Sequence, residues 1–164
     1  MLVVADSSPI IGLVKIGVVE ILPRLFGTIV IPPAVAAELS SSTRPELIRQ
    51  FIISNPGWLS VRTPIKVDPI SDLDAGEVEA ISLAAELRAV LLLIDETAGR
   101  NVAMMRKIPT IRTAALLAKA ADAGLIPDLK TVFDRLRATN FRVPSAVLDE
   151  LLKRHGQSGT SGSP

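Results

Sequence analysis

The stretch that decides the fold is Leu2-Val3-Val4-Ala5-Asp6-Ser7-Ser8-Pro9. Its four apolar residues, two of them β-branched, predict a short buried strand of the kind found in parallel sheets. The two serines and the proline that follow are typical of the first turn of a helix. A strand that leads straight into a helix indicates an α/β domain, with Asp6 at the junction.

The same strand-then-helix order recurs along the chain. A strand over 28–31 precedes a helix that opens at Pro33, and the most apolar strand, over 90–94, ends in Asp95 before another helix. Alternating strands and helices predict a three-layer α/β/α sandwich around a central, mostly parallel sheet. The predicted helices cover 9–15, 18–25, 33–40, 45–54, 75–87, 98–106, 113–123, 129–138 and 144–154, and further strands cover 58–62 and 108–111. We expect one domain over 1–155 and a flexible tail over 156–164, which is rich in Gly and Ser.

Composition excludes several classes of protein. The chain has 164 residues, 48% of them hydrophobic, which excludes global disorder. No apolar run reaches the roughly 18–20 residues that a membrane span needs. There is no cysteine, which excludes disulfides, thiolate metal sites and a cysteine nucleophile. The N-terminus lacks the basic start of a signal peptide, so we expect a cytoplasmic protein without membrane contact.

Charge is unevenly distributed along the chain. The net charge is +1, but residues 1–99 hold 12 acids and 7 bases (−5), and residues 100–164 hold 5 acids and 11 bases (+6). This asymmetry is compatible with an acidic pocket beside a basic surface. The charge counts alone favour the simpler alternative, ordinary solvated helix faces.

Two acids directly follow apolar strands: Asp6 and Asp95. The carboxyl ends of parallel strands form sites at one edge of a sheet, so these side chains are expected at that edge. Carboxylates placed together there repel and lose hydration unless a cation or a proton compensates. For either residue alone, a helix cap is the alternative role.

Further acids lie on predicted helices. Glu38 is late in the helix after the second strand, among apolar and small residues, where a solvated helix-face position is the alternative. Asp74 and Glu77 are three residues apart at a helix start and face similarly, although acids there also favour the helix dipole. Gly76 in that first turn costs about 1 kcal/mol against Ala. A glycine is easier to explain if another group approaches the backbone closely.

This set of acids favours a metal site with oxygen ligands. Carboxylates without Cys or His clusters point to Mg²⁺ or Mn²⁺ rather than zinc. The sole histidine, His155, lies near the tail, so Ser7 and Ser8 have no histidine partner for serine-hydrolase chemistry. No glycine-rich phosphate loop is present.

Four segments carrying these acids, 3–13, 31–39, 73–81 and 92–100, resemble in order the four motifs of the PIN-domain family. The resemblance spans nearly all of residues 1–155 and is closest to a prokaryotic PIN-like branch of predicted nucleic-acid-binding proteins and toxin-type ribonucleases. It implies a metal-dependent endoribonuclease in which four acids are catalytic and bind the metal: Asp6, Glu38, Glu77 and Asp95. The supporting residues would be Asp74, Ser7, Glu96 and Arg100.

The resemblance also implies partners: RNA as substrate, an antitoxin protein and a second copy of the chain. The low charged fraction, 21%, and the short apolar segments 16–25 and 47–53 suggest an apolar surface for such contacts. Core packing is the alternative role of these segments.

The chain departs from the family pattern in two places. Many PIN toxins have Asp at the position of Glu77, and Asp74 could serve instead. The segment Ile108-Pro109-Thr110-Ile111-Arg112-Thr113 lacks the glycine of the usual Gly-Thr pair.

Two other functions compete with the nuclease. A non-catalytic PIN-like module could bind RNA or protein, although it would have no need for converging carboxylates. A response-regulator-like phosphoacceptor is disfavoured because Glu38 and Glu77 are on helices and no clear lysine follows a late strand.

Overall fold

The computed structural model describes residues 1–160. The chain forms two compact units, one over Met1–Ile111 and one that begins at Arg112. None of the helices within the described residues is both long and apolar enough to cross a membrane.

The first unit is built on a five-stranded sheet. The strands are β1 (Val3–Ala5), β2 (Ile29–Ile31), β3 (Leu59–Val61), β4 (Leu91–Leu93) and β5 (Thr110–Ile111). They lie in the order β3-β2-β1-β4-β5, and every neighbouring pair is parallel. The helices that flank the sheet are α1 (Ser7–Lys15), α2 (Ile21–Phe26), α3 (Pro33–Ser40), α4 (Glu46–Ile53), α5 (Ala75–Glu86) and α6 (Thr97–Met105). The predicted α/β architecture with a mostly parallel sheet is confirmed.

The core of this unit lies between the sheet and α5. Val4 of β1, Val30 of β2 and Leu92 of β4 are buried, and Ile81 and Ala84 of α5 belong to the same apolar cluster. The three strands read as continuous apolar runs because a parallel sheet covered by helices buries both of its faces. The buried core thus lies beneath the ends of the central strands.

The direction in which strands are added to the sheet reverses at β1. The chain passes from β1 to β2 and β3 on one side of the sheet, and then to β4 and β5 on the other. Crevices at such a reversal of strand order, at the carboxyl ends of the strands, are where open parallel sheets bind ligands. Asp6 and Asp95 follow the two strands that meet at this point, β1 and β4.

The second unit consists of three helices, α7 (Thr113–Asp122), α8 (Leu129–Ala138) and α9 (Ser145–Thr160), each in contact with the other two. Its buried apolar side chains include those of Leu116, Leu117, Phe133, Leu136 and Leu148. Asp128 caps α8 by accepting a hydrogen bond from the Thr131 N–H.

Two predicted element boundaries are wrong. Helix α9 continues through Thr160 rather than ending at 154, and residues 161–164 of the expected tail lie outside the described part of the chain. His155 Nδ1 lies 2.6 Å from Asp122 Oδ1 on α7, a contact that holds the C-terminal turns of α9. Helix α2 begins at Ile21 rather than Val18, because Gly17 adopts a φ of 77° and residues 18–20 form a turn. All other predicted ends differ from the observed ones by at most two residues.

Candidate active site

Asp6 is a buried acid with an unsatisfied oxygen. It occupies the N-cap position of α1, yet its side chain makes no capping hydrogen bond there. The residue is 3% exposed, and its buried Oδ1 atom has no hydrogen-bond partner among the described residues. A helix cap therefore does not account for Asp6, since a capping aspartate would bond the free N–H groups of the first turn.

The surroundings of Asp6 disfavour its charged form. Burial raises the pKa of the Asp6 carboxyl to about 7, and the Ser7 backbone N–H opposes this rise only in part. The charges of Asp74, Glu38 and Glu77 contribute to this rise. These four acids consequently form one electrostatically coupled cluster, which we call the carboxylate cluster.

Glu38 reaches this cluster from α3. Its side chain is 29% exposed, and its Oε2 atom accepts a hydrogen bond of 2.6 Å from Ser7 Oγ. Ser7 is buried at the first position of α1, directly after Asp6. The Ser7 hydroxyl thus orients the Glu38 carboxylate beside Asp6.

Asp74 and Glu77 form a capping box at the start of α5. The Glu77 N–H donates to Asp74 Oδ1 at 2.8 Å, and the Asp74 N–H donates to Glu77 Oε2 at 3.3 Å. The helix-terminus explanation of this pair is therefore correct. Glu77 is also buried, and burial, followed by the charge of Asp74, raises the pKa of its carboxyl. Asp74 is exposed, so Glu77 is the acid of the pair that lies within the fold.

Gly76 allows α3 and α5 to come close together. A Cβ atom at this position would overlap Glu38 Oε1 and lie 3.4 Å from Asp6 Oδ1. The sequence suggested that another group approaches the backbone at Gly76. In the structure, that group is the Glu38 carboxylate of α3. A side chain at residue 76 would fill the space between Asp6 and Glu38.

Glu79 was missed by the sequence analysis. Its Oε2 atom accepts a 2.8 Å hydrogen bond from the Ala34 N–H in the first turn of α3, which has no acceptor within that helix. The bond attaches α5 to the start of the helix that carries Glu38. No sequence pattern could have indicated it, because the two residues are 45 positions apart.

Asp95 lies at the same edge of the sheet but is offset from Asp6. Ala5 pairs with Leu93, and the Asp6 N–H donates to the Leu93 carbonyl at 2.9 Å. This register sets Asp6 level with Ile94, one residue short of Asp95. Asp95 is half-buried.

The start of α6 lies against the carboxylate cluster. Glu96 is its exposed N-cap residue, and its charge contributes to the raised pKa of Glu77. A Cβ atom at Gly99 would lie 2.7 Å from Ile94 Cδ1 and 3.7 Å from Glu77 Cδ. Arg100 follows in the same helix and is half-buried.

The assignment of Asp6, Glu38, Glu77 and Asp95 as metal ligands stays a prediction. Within the part of the chain that the structure describes, no three Asp, Glu, His or Cys side chains form a group arranged to hold a metal ion. Clustered carboxylates repel one another, and Glu38, Asp74 and Glu77 take hydrogen-bond partners from the protein instead. The structure places Asp6, Glu38, Asp74 and Glu77 close enough for their charges to raise the pKa of Asp6 or Glu77.

A cation that the sequence analysis also missed borders the cluster. Arg44 lies in the loop between α3 and α4, where its Nε donates to the Glu38 carbonyl at 3.3 Å. Its Nη2 is 4.0 Å from Glu38 Oε2. An arginine in a polar loop has no distinguishing signal in the sequence.

Comparison with known proteins identifies the family and the fold of the chain. The model of the DUF3368 family, described as a PIN domain, matches residues 2–157. The chain belongs to the PIN domain family. A solved structure of a PilT N-terminus domain protein, SSO1118 from the hyperthermophilic archaeon Sulfolobus solfataricus P2, is similar to it with a TM-score of 0.56 and 25% identity. That match covers 73% of this chain and 93% of the archaeal one. No curated protein matches the chain.

The raised pKa of Asp6 predicts a pH-dependent stability in the absence of metal. A group whose pKa rises from 3.8 to about 7 on folding stabilises the fold while protonated, and this contribution is lost as pH rises through about 7. We expect the free energy of unfolding in chelator to fall as pH rises from about 4 to about 7 and to level off above that, by at most roughly 4 kcal/mol from this group.

Urea titrations of the wild type, Asp6→Asn and the exposed control Glu46→Gln measure this effect. Asp6→Asn should flatten the pH dependence, because the amide does not ionise, and Glu46→Gln should retain it. An equal slope in all three proteins would contradict the assignment of the effect to Asp6.

Proposed function

We propose that this PIN domain is a metal-dependent endoribonuclease that hydrolyses RNA phosphodiester bonds with Mg²⁺ or Mn²⁺. Asp6, Glu38, Glu77 and Asp95 are its proposed catalytic and metal-binding acids. The observation that carries the proposal is the buried, unsatisfied Oδ1 of Asp6 inside the carboxylate cluster. A buried carboxylate surrounded by other carboxylates is costly unless a cation or a proton compensates its charge.

The residues present fit a hard divalent cation. Asp6 Oδ1 is a free acceptor, and the missing side chain of Gly76 lets the Glu38 carboxylate lie close to it. The donor atoms of the cluster are all carboxylate oxygens, the ligands that Mg²⁺ and Mn²⁺ prefer. When bound, such an ion supplies an activated water and neutralises charge on the scissile phosphate.

The chain's own residues would prepare the cluster in three ways. Asp6, with a pKa near neutrality, can release its proton when a cation binds at working pH. Ser7 orients Glu38, and Glu79 holds the helix that carries Glu38 against α5. The capping box positions Glu77 at the start of α5.

The alternative is a PIN-like module that binds RNA or protein without cleaving. The lack of a formed ligand group among the described residues favours it. The buried carboxylates argue against it, because a binding scaffold does not require unsatisfied buried acids. Cleavage of RNA distinguishes the two functions.

Metal binding should be visible as a thermal shift. We expect Mn²⁺ to raise the melting temperature of the wild type, and to raise it more at about pH 8 than at about pH 6, because protons compete for Asp6 at the lower pH. Gly76→Ala should abolish the shift, since its methyl group would overlap the Glu38 carboxylate.

Gly156→Ala is the matched control, a helical glycine with nothing within 4 Å of the added Cβ. It should gain up to about 1 kcal/mol of stability from helix propensity and keep the Mn²⁺ shift. A melting temperature of the wild type that Mn²⁺ leaves unchanged at both pH values would count against the metal site.

Catalysis is tested with charge-removing variants of the two acids at the strand ends. Asp6→Asn and Asp95→Asn keep side-chain size and should abolish Mn²⁺-dependent RNA cleavage while leaving the fold intact. Asp6→Asn should even stabilise the metal-free protein above pH 7, because it removes a buried charge. Glu46→Gln is the control and should cleave RNA like the wild type.

Cleavage is followed on labelled RNA with and without chelator, and melting temperature on the same samples. Cleavage retained by both Asn variants would contradict the catalytic assignment. RNA binding by the wild type without any metal-dependent cleavage would support the non-catalytic alternative instead.

We further propose that the chain is the toxin of a toxin–antitoxin pair and associates with an antitoxin or with a second copy of itself. Of the apolar segments expected to form such a surface, Ile16, Ile21 and Leu22 are buried in the core. Leu47 and Ile53 of α4 are 57% and 69% exposed and can provide the contact.

If α4 forms a homodimer, light scattering should give twice the monomer mass, and Leu47→Glu/Ile53→Glu should dissociate it. These exposed changes should leave the melting behaviour of the monomer nearly unchanged. A monomer at all accessible concentrations would eliminate the homodimer, and co-purification with the product of an adjacent reading frame would test the antitoxin.

A further inference from the structure

The carboxylate cluster creates an electrostatic problem for a polyanionic substrate. Asp6, Glu38, Asp74 and Glu77 lie within mutual electrostatic reach, and Glu96 adds its charge at Glu77. RNA carries one negative charge per nucleotide, and proteins that bind it supply cationic side chains along its backbone. A cation that contacts the cluster is therefore a candidate for a substrate contact.

Arg44 is such a cation, and its ion pair with the Glu38 carboxylate is long. Its Nη2 atom is 4.0 Å from Glu38 Oε2, which is an ion pair without a hydrogen bond, and only its Nε donates, to a backbone carbonyl. A guanidinium has five N–H donors in a fork that matches carboxylate and phosphate oxygens. With 37% of the side chain exposed, Arg44 reaches solvent at the rim of the cluster.

The loop around Arg44 is held in place by its own hydrogen bonds. The Arg44 N–H donates to the Ser41 carbonyl at 3.0 Å, and the hydroxyls of Ser41 and Thr43 lie 2.9 Å apart. Arg49 Nε on α4 donates to the Arg44 carbonyl at 3.2 Å. A backbone ordered in this way lowers the entropy that is lost when the side chain binds a ligand.

We infer that Arg44 binds a backbone phosphate of the RNA beside the carboxylate cluster and positions the strand there. This inference rests on the proposed nuclease function and adds to it a residue that contacts the substrate. Arg44 would act as a substrate-binding residue of the site. Its alternative role is to neutralise Glu38 within the protein, and the two roles predict different measurements.

The test compares RNA binding by four proteins that share the Asp95→Asn change, which prevents the RNA from being consumed. These are the Asp95→Asn parent and its Arg44→Gln, Arg44→Lys and Arg24→Gln derivatives. Fluorescence anisotropy with a labelled single-stranded RNA, in Mn²⁺ and over a range of KCl concentrations, gives the Kd and its salt dependence. Arg24 is an exposed arginine on α2, which leads into the amino end of β2, and serves as the control for loss of one positive charge.

Arg44→Gln should weaken RNA binding about tenfold and lower the slope of log Kd against log salt by about 0.7, the value for one phosphate contact to a single strand. Arg44→Lys should keep the slope but bind more weakly than the parent, because it retains the charge and loses the fork. Arg24→Gln should leave the Kd nearly unchanged.

If Arg44→Gln binds RNA like the parent and binds Mn²⁺ more tightly, the inference is overturned. That result is expected if Arg44 only neutralises Glu38, because its removal would leave the metal site more negatively charged. If Arg44→Gln does not fold, an Arg44→Lys affinity equal to that of the parent overturns it, and a weaker affinity with an unchanged slope supports it. Failure of the wild type to cleave RNA would defeat the proposed function separately, since binding and its salt slope are measured without cleavage.

Discussion

The buried carboxylate of Asp6 is the constraint to which the rest of this site adapts. The backbone of Asp6 is fixed in position by its neighbours. Strand β1 is paired with β2 on one side and β4 on the other, and the Asp6 N–H donates to the Leu93 carbonyl. Its Oδ1 atom is shielded from water without a partner in the described residues. An ionised group in this position must be compensated by a proton or a cation. The pKa of about 7 and the proposed metal site are two consequences of the same burial.

The other acids reach Asp6 through three separate devices at the junction of α3 and α5. Glu79 bonds a free N–H of α3 and holds the helices together. Gly76 removes the side chain that would otherwise separate them. The capping box holds Glu77 at the first turn of α5. Together, these three features keep negatively charged side chains close to one another. Their mutual repulsion lowers the stability of the fold, so stability alone would not favour this arrangement. Arg44 lies at the rim of this cluster, with its Nη2 atom 4.0 Å from Glu38 Oε2.

Most of the fold was predictable because its signals are local. Short β-branched runs marked the strands, and prolines and capping residues marked where helices begin, as at Pro33. The two failures arose where local signals misled. The Gly and Ser residues after His155 suggested that the last helix ends at 154, whereas α9 continues to Thr160. Gly17 interrupted the chain as expected, but the turn after it delayed the start of α2 to Ile21.

In the candidate site too, the features with local sequence signals were predictable and those that depend on tertiary contacts were not. The sequence indicated the acids at the strand ends and at the start of α5 as candidates, because each lies beside a recognisable strand or helix start, and their role as metal ligands stays a prediction. It could not show that Asp6 lacks a capping bond, that Asp95 is offset by one residue from it, or that Glu38 takes its hydrogen bond from Ser7. Those features depend on strand register and on contacts between residues tens of positions apart. The register and these contacts are set only when the strands pair and the helices pack on the sheet, and no local sequence pattern encodes them.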